Sequence, residues 1–329
     1  MEYNYKPIGK IGLKEYYARI EENGKVSPDI YTRVPDIREA IRAQEGHRIL
    51  SADYAQIEVK LMAHLSRDPV LIAAINSGKD IHCYNSVEVF GASLNFDYDT
   101  INIARKDPLH PRHQELSTIR NNIKTVTFGT TYGAGAARIA AMTGMTPEAA
   151  QDFINAFFAK FHVLKRWLEE TGNNAVRYGY STSPRGRIRH YTLPSAEDRD
   201  ADGLLAQIRR WAGNQPIQAG NVDMLKPAMA GVYNELIEKN YGPEDARILF
   251  VVHDEIVMSA REDLSERYDE TGSILTHKEI EARIKDGRGF VKGPIEEILC
   301  RHLQKSYDDI IPDIVNKVDV AIEYIWAKA

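Results

Sequence analysis

Residues Ile248-Leu249-Phe250-Val251-Val252-His253-Asp254-Glu255-Ile256-Val257-Met258 constrain the fold of this 329-residue chain more than any other stretch. Two apolar runs rich in β-branched residues flank three polar ones, with no Gly or Pro among them. The pattern predicts a tight β-hairpin with its acids at the turn. A turn that merely faces solvent is the alternative, although such flanks more often frame Asn-Gly. A second apolar run, Ile49-Leu50-Ser51-Ala52, ends at Asp53, and a helix is expected from about Gln56 through Leu65. Asp53 therefore stands at a strand tip, a usual place for a metal-binding carboxylate. A helix N-cap would use the same residue in the same place.

Arg120, Lys124, Phe128 and Tyr132 recur every four residues. On a helix that spacing drifts only about 40° per step, so the four side chains form one slowly winding face. Two cations stand at one end of it and two rings at the other. Such a face suits a nucleoside triphosphate, with cations for the phosphates and rings for base and sugar. An ordinary amphipathic helix with a Phe and a Tyr in the core is the alternative.

Bulk composition allows less. A hydrophobic content of 43% with mixed charge indicates a globular chain of one large or two moderate domains. No stretch approaches the roughly 20 apolar residues of a membrane span, and Met1-Glu2-Tyr3-Asn4-Tyr5-Lys6 lacks a signal peptide's apolar core. Cys83 and Cys300 are too few for a disulfide framework or a zinc site, which makes a reducing cytoplasm the expected setting. The net charge of −5 is unevenly spread, with seven Arg between Arg177 and Arg210. Acids near metals can coexist with a basic groove, so the total excludes little.

Together the three segments resemble the polymerase motifs of the DNA polymerase I family, family A. Asp53-Tyr54-Ala55-Gln56-Ile57-Glu58 resembles its first palm motif, Arg120 to Gly133 its fingers helix, and His253-Asp254-Glu255 its second palm motif. Asp80-Ile81-His82, Gly186-Arg187-Ile188-Arg189, Arg210 with Asn214-Gln215-Pro216-Ile217-Gln218, and Lys317-Val318-Asp319-Val320 with Trp326 are secondary matches. The resemblance implies an α+β fold: an antiparallel-sheet palm with a mainly helical fingers subdomain. It implies template-directed DNA synthesis, with Asp53, Asp254 and the Tyr54 carbonyl holding two Mg²⁺ ions, or Mn²⁺ as a substitute.

By the same resemblance, Arg120 binds the terminal phosphates and Lys124 sits near the α-phosphate. His82 contacts a phosphate oxygen, Phe128 packs on the sugar, Tyr132 stacks beside the templating base, and Glu58 is a steric gate against a ribose 2′-hydroxyl. Gln56 and Ile57 fall within the nucleotide site, and Glu255 joins the catalytic acids. Lys25, Lys60, Arg187, Arg210, Asn214, Gln218 and His253 contact primer or template. The partners implied are primer-template DNA and deoxynucleoside triphosphates, in a bacterial or phage-infected cytoplasm. A non-catalytic primer-template-binding subunit and a single-subunit RNA polymerase are the rival functions.

The motifs divide the chain into residues 1–45 leading into the palm, 46–95 with the first palm motif, 96–190 as fingers, and 191–329 with the second palm motif and tail. Asn95 to Pro111 reads as loop. Pro147 to about Arg177 reads as a helical run whose stripe of Phe153, Phe157, Phe158, Phe161, Leu164, Trp167 and Leu168 is core. Arg209 to Glu238 reads as a helical run that Pro216 and Pro227 interrupt or bend. Departures from the family pattern are Lys25 and Lys60 in place of Arg, Gln218-Ala219-Gly220-Asn221, and an extra segment at about residues 262–293. The resemblance begins near the first residue, so thumb and exonuclease domain are expected to be absent and supplied, with processivity, by a separate protein.

Overall fold

In the computed structural model, residues 37–326 are described, which leaves Lys25 outside the described residues. Strand β1, His47–Tyr54, is the centre of the fold. It pairs antiparallel with β5, Glu255–Arg261, on one side and with β6, Val318–Glu323, on the other. Strand β4, Ala246–Val252, completes the four-stranded order β4-β5-β1-β6. The expected hairpin is β4 and β5, joined through His253-Asp254.

Alternation along β1 separates two faces. Leu50, Ala52 and Tyr54 enter the main core with Ile256, Met258 and Ala260. Ile49 turns the other way, against Val257 and Trp326. Full burial of a side chain such as Leu50 contributes about 1.5–3 kcal/mol. A one-residue slip of β1 would drive Asp53 into the Leu50 face, so the burial pattern holds the register that places this acid.

Helices cover the Leu50 face. Helix α1, Ile57–Ser66, follows β1 directly, and α2, Pro69–Asn76, and α3, Ile81–Ser86, follow it. Buried Asp68 caps α2 through the amides of Val70 and Leu71, and its other oxygen accepts from the Leu164 amide at 3.0 Å. The stretch read as loop from Asn95 holds helix α4, Tyr98–Ala104. Asp97 is its N-cap, accepting from the Thr100 amide at 2.8 Å, and Ile101 and Ala104 are buried. The Asp/Asn content that suggested loop was in part a cap.

The fingers helix is α5, His113–Thr131, and α6, Ala136–Thr143, follows. The run from Pro147 is two helices, α7, Pro147–Lys160, and α8, His162–Tyr178, divided at Phe161, which leaves helical angles. Phe153, Phe157, Phe161 and Leu164 are core as expected. A short hairpin of β2, Tyr180–Thr182, and β3, Ile188–His190, comes next.

Helix α9, Ala201–Glu238, runs 38 residues through both Pro216 and Pro227. The expected interruption is absent. Each proline removes one backbone donor, but Ile217, Met224, Leu225 and Ala228 are buried around them, and tertiary packing outweighs the loss. Within the extra segment, α10, His277–Lys285, has a capping box from Thr276 and Glu279. Helix α11, Pro294–Asp308, then packs Ile295, Ile298, Leu299, Leu303 and Tyr307 under the sheet.

Candidate active site

Asp53 lies directly opposite Glu255 on β5 and Asp319 on β6. Asp254 fills the two-residue turn between β4 and β5. The two carboxylates expected to converge therefore stand at adjoining strand ends, and each is half-buried. Two non-glycine residues beside them adopt positive φ, Gln56 at 55° and His253 at 56°. Such conformations cost about 1–3 kcal/mol and cluster where a chain must aim functional groups.

The structure places Glu255 inside the sheet, beside Asp53 and Asp254. Its carboxylate accepts from the Ser51 hydroxyl and from Trp326 Nε1 at 2.6 Å, with Arg38 Nη2 at 3.9 Å. At 4% exposure and with these donors in place, it braces the sheet beside the site. Its sequence neighbour Asp254 gave no hint of this, because the partners come from distant segments. Tyr54 turns its ring inward, where its hydroxyl donates to the Leu303 carbonyl at 3.2 Å, so only its backbone carbonyl is left for a metal.

Among the described residues no group of three or more His, Cys, Asp or Glu could form a closed cage for a metal. Two carboxylates and one carbonyl are hard oxygen donors. They fit Mg²⁺, which takes few protein ligands and completes its shell with phosphate oxygens and water. Asp319, half-buried and 2.6 Å from Lys317 Nζ, adds a third acid beside Asp53. The acid at the start of the last apolar alternation was the only sequence signal for it.

Arg120, Lys124 and Phe128 lie on α5, and the Tyr132 amide donates to the Phe128 carbonyl at 3.0 Å, which carries the face one residue further. Gly133, at φ +73°, ends it. A Cβ there would lie 2.2 Å from Cγ of Arg210, so the end of α5 seats directly on α9. Lys124 is exposed. Arg120 is gripped by Asp80, with Nε 3.2 Å from Oδ1 and Nη2 2.9 Å from Oδ2.

His82 is 4% exposed, its ring centroid is 5.7 Å from that of Phe128, and its Nδ1 makes no hydrogen bond among the described residues. Burial, aided by the Arg120 charge, lowers its pKa to about 4.

At the other end of the face, Gln218 Nε2 donates to Glu58 Oε1 at 2.7 Å and to Tyr132 Oη at 2.8 Å. Burial and the adjacent Glu58 raise the Tyr132 phenol well above its usual range. Three expected site residues, from α1, from just past the end of α5 and from α9, thus meet within hydrogen-bond reach. Gln56 is exposed just before α1, whereas Ile57 is 1% exposed in the core. The Ile57 side chain is in the core, which leaves its backbone as the part that could face a nucleotide.

Of the expected DNA contacts, Arg210, Asn214 and Gln218 share one face of α9 at intervals of four. Oδ1 of Asn214 is buried without a hydrogen-bond partner among the described residues. His253 is exposed. Arg187 ties the β2–β3 hairpin to α9, with Nε 2.6 Å from Asp223 Oδ1 and Nη2 2.6 Å from the Ala219 carbonyl, while its side chain stays 45% exposed. Lys60 is placed differently from these. It is 5% exposed and donates to Asn316 Oδ1 at 2.8 Å, and burial lowers its pKa to about 8 against the pull of Asp319. Its ammonium is engaged in the interior of the structure.

A model of DNA polymerase family A matches residues 29–284. The chain is 33% identical to DNA polymerase I of Pseudomonas aeruginosa over 231 residues, covering 70% of this chain and 23% of that protein. It is 33% identical to the thermostable DNA polymerase I of Thermus aquaticus over 230 residues, 70% of this chain and 24% of that one. The chain therefore spans about a quarter of the length of these curated relatives. The structure of the POL domain of Pol1 from M. smegmatis, solved with DNA primer-template and dNTP, superposes with a TM-score of 0.65 and 25% identity, covering 88% of this chain and 42% of that one.

Proposed function

The chain belongs to DNA polymerase family A, and from that premise we propose that it extends a DNA primer along a template by nucleotidyl transfer from deoxynucleoside triphosphates. The observation that carries the reading is the meeting of Glu58, Tyr132 and Gln218, which joins the cationic-aromatic face of α5 to the strand end that bears Asp53. In this reading Asp53, Asp254 and the Tyr54 carbonyl hold two Mg²⁺ ions. Such ions, when bound, acidify a primer 3′-hydroxyl and neutralise charge on a leaving pyrophosphate, and Mn²⁺ can substitute.

The chain's own groups do the rest. Arg120 offers a planar fork to phosphate oxygens, and Lys124 offers a point charge near the α-phosphate. His82 contacts a phosphate oxygen. Phe128 backs the sugar, Glu58 bars a 2′-hydroxyl, and Tyr132 stacks by the templating base. The Arg210–Gln218 face, Arg187 and His253 take the primer-template. Duplex clasping, processivity and proofreading are assigned in this proposal to sequence other than residues 37–326, in the same or a separate polypeptide. No described helix is long and apolar enough to cross a membrane; a cytoplasmic setting is part of the proposal.

The test is primer extension in Mg²⁺ by the chain and by Asp53→Asn and Asp254→Asn. Each variant should lose several orders of magnitude in rate while DNA affinity, which rests on phosphate contacts, changes little. Near-normal extension by either variant overturns the metal assignment. DNA binding without extension by the parent chain would favour a non-catalytic subunit.

A further inference from the structure

Asp80 is the one carboxylate that touches the Arg120 guanidinium among the described hydrogen bonds, and it does so with both oxygens. Oδ1 also accepts from the Cys83 amide at 2.8 Å, as the N-cap of α3, and the Asp80 amide donates to Tyr98 Oη at 2.9 Å. Arg105 Nη2 lies 3.6 Å from Oδ2. The carboxylate is therefore anchored to α3 and cannot follow Arg120 if that side chain moves. Burial opposes its ionisation, but the bonds from Arg120 and Cys83 overcome this and hold the carboxyl well below its usual range. Arg120 is 20% exposed, so solvent and ligands reach it.

The pair has a chemical consequence. A phosphate approaching Arg120 competes with a carboxylate for the same Nε–Nη2 edge of the guanidinium. Both are bidentate acceptors of similar strength. A lone phosphate therefore gains little by the exchange. A triphosphate brings further contacts at Lys124, on the same helix as Arg120, and at His82, whose ring packs by Phe128 of that helix, and these tip the balance.

We propose that Asp80 is an internal counter-ion that holds Arg120 until a polyphosphate displaces it, and that it reclaims the guanidinium when the polyphosphate leaves. This inference rests on the reading of α5 as a triphosphate site. Asp80 then acts through Arg120 as a positioning residue. It sets a threshold that favours long polyphosphates over orthophosphate and assists release of the pyrophosphate product.

The substitution Asp80→Asn removes the charge and keeps a good N-cap for α3. Binding of inorganic tripolyphosphate and of pyrophosphate, each with Mg²⁺, is measured by titration calorimetry on the parent chain, Asp80→Asn, Arg120→Gln and the double variant. Melting curves check that each is folded. Asp80→Asn should bind both anions about fivefold more tightly, because each is spared the same displacement of the carboxylate. Tighter binding that is lost in the Arg120→Gln background supports the tether.

Unchanged or weaker binding by Asp80→Asn overturns the inference. So does an equal gain in the Arg120→Gln background, because the Asp80 charge would then be acting on the anion directly. If Arg120→Gln binds tripolyphosphate as the parent does, the triphosphate reading itself fails, and the inference falls with it.

Discussion

Burial and the Arg120 guanidinium act on His82 in the same direction, and the result has a sign that can be checked. Its pKa is about 4 in the folded chain and near the ordinary 6.5 when unfolded. Between those values the unfolded chain takes up a proton that the folded chain refuses, so stability falls as pH drops from about 6.5 to about 4 and is level above that window. Denaturant unfolding measured from pH 7 down to 4 should show this decline, and His82→Phe should flatten it. An equal decline in the variant would mean that other groups carry it. Glu58 offers a second prediction at this scale. Removal of its carboxylate by Glu58→Ala should raise the kcat/KM ratio of ribonucleotide to deoxynucleotide about tenfold or more, because a clash vanishes that a hydrogen bond had not replaced. An unchanged ratio would take Glu58 away from the sugar.

Elements meet at glycines where two backbones or stems approach closely, and α5 on α9 is such a place. Gly133→Ala should destabilise by about 1–3 kcal/mol, since φ is unfavourable and the new Cβ strikes the Arg210 stem. Gly144→Ala is the matched control, because φ is +75° there but nothing lies within 4 Å of the new atom. Equal losses in thermal unfolding would show that α5 is not tightly seated. The same scale explains what could be read beforehand. The strands around Asp53 and Asp254, the face on α5 and the stripe through Phe157 announce themselves through periodicity, which is local. Glu255 and Lys60 read as site residues because they adjoin motif residues. Their burial and partners, Trp326 and Ser51 for one and Asn316 for the other, could not be read beforehand, because these come from segments far along the chain. Helix α4 and the unbroken α9 were missed for a related reason: a cap looked like a loop, and packing overruled two prolines.

Across the whole molecule, the sheet is completed last in chain order. Strand β1 is central only because β6 returns to its open side, and Trp326 then covers Ile49 and Val257 while bonding Glu255. A chain ending at Lys317 would expose the β1 edge, uncover that small core, and leave the buried Glu255 carboxylate with fewer donors. Loss of a core Trp alone costs about 3–5 kcal/mol. Domains of this kind are stable by only about 5–15 kcal/mol. The shortened chain should therefore lose its cooperative melting transition in circular dichroism and tend to associate through the exposed edge. Trp326→Phe separates the two contributions, since it keeps a ring on Ile49 and removes the Nε1 donor. It should fold with a lowered melting temperature. A shortened chain that melts like the parent would show that β6 is an accessory to the sheet, and that Asp53 is held in place by β5 alone.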